Sequence, residues 1–93
     1  MPKYYDFKVC GYYLYFTAQC IVEAMHVHAS DSKLTESASA KFFVREDGST
    51  VVKDRGMLKD IEIRRIQTFI GENYVDMYKT WSALSAEGYY RNN

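Results

Sequence analysis

Residues 38–52 read Ala38-Ser39-Ala40-Lys41-Phe42-Phe43-Val44-Arg45-Glu46-Asp47-Gly48-Ser49-Thr50-Val51-Val52. Side chains alternate across a strand, so a strand from about Ala38 to Glu46 puts Ala40, Phe42 and Val44 on one face. Lys41, Phe43 and Arg45 then occupy the other face. Asp47-Gly48 is the strongest turn signal in the chain, because these residue types accept the positive φ of a tight hairpin turn. It returns a short strand through Thr50, Val51 and Val52. The middle of the chain is therefore an antiparallel hairpin.

Upstream, the same alternation predicts a strand from Met25 to Ser30, with Met25, Val27 and Ala29 on one face and His26 and His28 on the other. Residues 4–9 and 12–17 are rich in Tyr, Phe, Val and Leu with Gly11 between them, which predicts a further hairpin. Its second strand sets Tyr12, Leu14 and Phe16 against Tyr13, Tyr15 and Thr17. The polar run 31–37 is expected to be a loop.

Downstream, Gly56 ends the strands. Ile63, Ile66, Ile70, Tyr74, Met77, Trp81 and Leu84 recur every three or four residues, an amphipathic helical stripe. Gly71 interrupts it and Asn73 is a candidate N-cap, which predicts two helices or one bent helix breaking near 71–73. The expected fold is α+β: an antiparallel sheet of four to five strands in the N-terminal half, packed on two C-terminal helices or one bent helix. A single domain covers residues 1–93, with strands mainly in 1–55, helix in 57–86 and a frayed tail at 88–93.

Composition narrows the class. Ninety-three residues hold one core, and 47% hydrophobic with 26% charged residues is an ordinary globular balance. Twelve basic and twelve acidic residues cancel, so the net basic footprint of a strong nucleic-acid binder is missing. Nine Tyr, five Phe and one Trp supply large side chains for a small core, or an aromatic binding surface. No apolar run approaches the roughly 20 residues of a membrane span. Met1-Pro2-Lys3-Tyr4-Tyr5-Asp6 lacks the apolar stretch of a secretory signal. Cys10 and Cys20 have no metal-ligand spacing and fall at opposite ends of one predicted strand, as free thiols of a cytoplasmic protein would.

Glu23-Ala24-Met25-His26-Val27-His28 is followed by Ala40-Lys41-Phe42-Phe43-Val44, Gly56, Glu62-Ile63-Arg64-Arg65-Ile66, Glu72-Asn73 and Trp81. From about residue 5 to residue 84, this order resembles a bacterial family of small proteins known as domain of unknown function 4160. The family pattern has two prolines where Ala24 and Met25 stand, a Trp where Phe43 stands, and a helix-capping Ser where Lys59 stands. Lys59 loses the capping box to Glu62, while Asp60 and Glu62 still suit the helix dipole. Members are often met beside small antitoxin-like proteins, so the resemblance implies a toxin–antitoxin-like context. It carries over no established reaction.

The candidate chemistry lies in His26 and His28, the only histidines, two apart on a strand and so about 6–7 Å apart on one face. Such a pair can give two ligands to a metal, or act as acid and base near neutral pH, or sit as ordinary packed side chains. Acid–base cleavage of RNA also needs a cation for the phosphate. Lys41 is the catalytic candidate beside the histidines, with Arg45 a substrate contact on the same predicted face. Tyr13 and Tyr15 would border that face and stack on bases, Glu23 would orient the first imidazole, and Arg64 is a minority phosphate contact. Two readings follow. One is a toxin-like protein acting on RNA through His26, His28 and Lys41, with an antitoxin-like partner. The other is a non-catalytic interaction module that binds a partner through its sheet or aromatic face. Neither requires a cofactor, a resident metal or a membrane.

Overall fold

The computed structural model describes residues 3–17, 23–31 and 39–91. Four strands, β1 (Tyr13–Tyr15), β2 (His26–Ser30), β3 (Ala40–Val44) and β4 (Thr50–Asp54), form one sheet in the order β1-β2-β3-β4, and α1 (Asp60–Ser82) follows. Every neighbouring pair is antiparallel, with Tyr15 opposite His28, His28 opposite Lys41 and His26 opposite Phe43. The loop predicted for 31–37 and the Cys20 thiol lie outside the described residues, apart from Asp31; Cys10 is a free thiol.

One face of the sheet carries Leu14, Val27, Ala29, Phe42 and Val44, all buried, and Ile63, Ile66, Ile70, Met77 and Trp81 of α1 complete the core. Burying side chains of this size stabilises by roughly 1.5–3 kcal/mol each, which selects the register: a slip of one residue would turn the histidine face to the helix. Leu84 falls outside the stripe predicted for it, because α1 ends at Ser82 and Leu84 is half exposed.

The Asp47-Gly48 turn forms as the sequence predicts. Arg45 N donates to Ser49 O at 2.8 Å, and the Asp47 carboxylate accepts from Ser49 N at 2.9 Å. Gly48 has φ 88°, and a Cβ there would meet Cδ1 of Tyr74 at 2.7 Å, so both backbone and packing exclude a side chain. The turn thus seats directly on the middle of α1.

That contact also corrects the expected helix break. Gly71 sits beneath Gly48 O, where a Cβ would be 3.6 Å away, and α1 runs through it unbroken for 23 residues. Asn73 does not cap a second helix; its Nδ2 donates to Phe69 O one turn back at 2.9 Å. At the helix start, Glu62 still accepts from Lys59 N at 2.8 Å, so half of the capping box survives the Lys.

The N-terminal hairpin is shorter than predicted. Val9 and Tyr12 exchange backbone bonds of 2.7 and 3.0 Å around Cys10 (φ 53°) and Gly11 (φ 87°), but residues 3–9 make only the isolated bridges Lys3–Tyr15 and Val9–Tyr12 instead of a strand. Tyr5 and Phe7 turn onto the helix instead: Tyr5 stacks on Phe7 at 5.0 Å, meets Phe69 edge-on at 5.5 Å and donates to Asp76 at 2.7 Å.

Candidate functional site

Strand alternation and the β1–β2–β3 register put Tyr15, His28 and Lys41 in one cross-strand row, with His26 and Phe43 in the next row on the same face. The imidazole centroids of His26 and His28 are 5.1 Å apart and nearly perpendicular, closer than the backbone spacing because the rings lean together. Tyr15 lies 5.5 Å from His28, Phe43 lies 5.7 Å from His26, and Trp81 of the helix lies 5.5 Å from His26. The pair is walled by rings.

Burial is nearly complete: His26 is 0% and His28 2% exposed. His26 Nδ1 donates to Ala24 O at 2.9 Å, since a carbonyl can only accept. His28 Nδ1 is 3.1 Å from Ser39 Oγ. Burial, then the neighbouring His26 and Lys41, lower the His28 pKa from 6.5 to about 4. At neutral pH His28 is therefore an uncharged ring with no labile imidazolium proton to donate.

Lys41 is committed to Glu23. Its ammonium lies 2.9 Å and 3.2 Å from the two carboxylate oxygens and 5.0 Å from the Phe43 ring centroid. The Lys41 hydrogen bond holds the Glu23 carboxyl below its ordinary range against the opposing effect of burial. The two side chains are 17% and 42% exposed, so the ion pair forms the wet rim of an otherwise dry cluster.

Of the residues singled out by sequence, His26, His28, Tyr15, Lys41 and Glu23 converge. Glu23 binds Lys41 where orientation of an imidazole was expected. Arg45 reaches the turn, donating to Ser49 Oγ at 3.2 Å. Tyr13 shares the face but has the Lys3 and Lys8 ammoniums over its ring, at 4.6 and 5.3 Å from its centroid. Arg64 is an exposed helix residue lining a depression of about 300 Å3 with Ile61, Arg65 and Thr68. Sequence reading missed Ser39, Trp81 and Tyr90. Ser39 was recoverable from strand parity with Lys41, whereas Trp81 and Tyr90 arrive through the tertiary fold.

Among the described residues no group of three His, Cys, Asp or Glu side chains gathers to hold a metal, and no helix is long and apolar enough to cross a membrane. Away from the histidines, the largest aromatic exposure is at Phe7, 54% accessible on a ledge with Tyr5 and Phe69. Compared with known protein families, curated proteins and solved structures, the chain matches none of them.

Proposed function

We propose that this protein is a non-catalytic interaction module that binds a partner protein, an antitoxin-like one in the context the family resemblance implies, through its aromatic surface. The observation that carries the reading is the closure of the histidine face: both imidazoles are buried and His28 is held neutral. Such a pair stiffens the sheet and offers no proton relay to a substrate in water. The Phe7 ledge is the most exposed aromatic surface among the described residues, a ring supported from behind by Tyr5 and Phe69 and tied down by the Tyr5–Asp76 bond. A rigid, pre-ordered aromatic is the kind of anchor that dominates binding energy at protein interfaces.

A second reading, RNA cleavage by a toxin-like protein through His26, His28 and Lys41, keeps one observation in its favour: these groups share one patch with Tyr15 and Glu23. A photo-crosslinking residue at position 7, introduced into the full chain in its native cells, separates the two. A discrete protein adduct at position 7, with no histidine-dependent RNA cleavage by the purified chain, is the expected result. Absence of any adduct together with RNA cleavage abolished by His28→Gln would overturn the module reading in favour of the second.

A further inference from the structure

The spacing of residues along α1 decides what its outer face presents. At about 100° per residue, Ile63, Ile66, Ile70, Met77 and Trp81 point to the sheet, and Ile61, Thr68 and Val75, each seven residues from the next, fall on the opposite side. Ile61 is 50% and Val75 55% exposed, and Thr68 between them is exposed as well. The outer face of a solvated helix ordinarily carries charged or polar residues at such positions. Here two β-branched apolar residues, two turns to either side of a Thr, make an apolar ridge.

Ile61, Arg64, Arg65 and Thr68 also bound the depression of about 300 Å3. Their spacing of i, i+3, i+4 and i+7 is that of the hole which, in paired helices, receives one side chain from the facing helix. Ile61 and the Thr68 methyl group give it apolar ends, and arginine stems can cover an apolar side chain while their heads stay in water. Val75 stands on the same ridge with the size and chemistry of the missing knob.

Charge runs along this face in two blocks. Arg64 and Arg65 lie in its first half, Glu72 and Asp76 in its second, and all four are exposed. Arg65, Glu72 and Asp76 share one flank of the ridge. Among the described residues, Arg65 and Glu72 take part in no ion pair, the described bridges being Lys41–Glu23 and Arg55–Asp60. Asp76 accepts from the neutral Tyr5 hydroxyl, and Glu72, four residues before it, adds a like charge that disfavours the isolated helix. A face with its basic half ahead of its acidic half is complementary to itself run in the opposite direction.

We propose that the outer face of α1 is a homodimer interface, with the α1 helices of two copies packed antiparallel about a two-fold axis near Gly71. Val75 of each copy sits among Ile61, Arg64, Arg65 and Thr68 of the other. An isologous contact makes every pairing twice, so Arg65 of each copy meets Glu72 and Asp76 of the other, one charge cluster on each side of the axis. The small residues Thr68 and Gly71 lie nearest the axis, where the two backbones approach. Knob, hole and both charge signs lie on this one face, which makes a second copy the occupant that fits it. A formal net charge of zero also removes the long-range repulsion that keeps like copies apart. A helix of 23 residues is about 35 Å long, so one helix pair falls at the low end of specific interfaces, below about 1,200 Å2. The dimer goes beyond the interaction-module reading, because its anchor is Val75 and not Phe7.

The test is sedimentation velocity on the full chain from about 5 μM to about 500 μM, the range in which so small an interface should saturate. The native chain is expected to pass from monomer to dimer. Val75→Lys puts a cation into a hole walled by two arginines and should weaken association at least about 10-fold. Arg65→Glu and Glu72→Arg each set like charges against one another across the axis, and each alone should weaken it about 3-fold or more. Mixed in equal amounts, these two variants should associate more tightly than either does alone, since one charge cluster is then native and the other has its signs exchanged. All three positions are exposed, so circular dichroism should match the native chain. A native chain that stays monomeric throughout, a Val75→Lys chain that associates as tightly as the native one, or a mixture no tighter than its components overturns the proposal. A discrete adduct with another protein at position 7, from a chain that stays monomeric, removes the dimer and leaves the Phe7 reading standing.

Discussion

His28 should make the protein sensitive to mild acid, in a window that the carboxylates leave clear. Its pKa falls from 6.5 to about 4 on folding because burial disfavours the charged ring, and at 2% exposure solvent screening offers little relief. Above pH 6.5 both folded and unfolded chains carry it neutral, so it adds no pH dependence there. Below that, the unfolded chain binds a proton that the folded chain refuses, and stability falls until the folded ring also titrates near pH 4. Linkage gives a loss of about 2 kcal/mol by pH 5 and about 3 kcal/mol at the limit. Glu23, Asp47 and Asp60 are all lowered from ordinary carboxyl values, so they stay ionised above pH 5 and contribute little to this slope. The assay is urea unfolding between pH 7.5 and 5, followed through Trp81, in the native chain and in His28→Gln. The native chain should lose about 2 kcal/mol more than the variant over that range, whatever the offset between them at pH 7.5. Equal slopes would mean that His28 titrates normally. The closed histidine face would then be wrong, and a solvent-linked imidazole would again be open to acid–base work.

Gly48→Ala combines a φ of 88° with a Cβ 2.7 Å from the Tyr74 ring, and it should cost about 1–3 kcal/mol in thermal or urea unfolding. Gly71→Ala should do the reverse and raise stability by about 0.5–1 kcal/mol, because the site is exposed, helical and has 3.6 Å of clearance to Gly48 O. A destabilised Gly71→Ala would show that the helix needs its glycine for close approach to the turn. Lys41→Met should shift stability by less than about 1 kcal/mol, since the pair sits at a wet rim, while the Glu23 carboxyl returns upward toward its ordinary range in an NMR titration.

The strands and their faces were legible because period-two alternation is a local property. Lys41 and Phe43 had to share a face, Ala40 and Phe42 the other, and Asp47-Gly48 fixed the return. The helix was legible through Ile63, Ile66 and Ile70, but its continuity was not. Gly71 and Asn73 read locally as a break, and what keeps them helical is non-local: the Gly48 turn overhead, and burial of Met77 and Trp81 beyond it. The short first strand has the same origin. Tyr5 and Phe7 have strand-forming side chains, yet Phe69 and Asp76, more than sixty residues later, take them.

For the site, sequence parity correctly grouped His26, His28, Tyr15 and Lys41, but parity says nothing about which face of a sheet meets water. In a two-layer domain the face away from the helix is ordinarily the solvated one, and there an imidazole pair beside a lysine reads as chemistry. Here that face is covered by rings from three directions: Tyr15 from β1, Phe43 with Tyr90 stacked on it, and Trp81 at the β2 end. Tyr90 belongs to the tail from Gly88 that was expected to fray as chain termini do, so the residue that helps close the histidine face was the hardest to foresee.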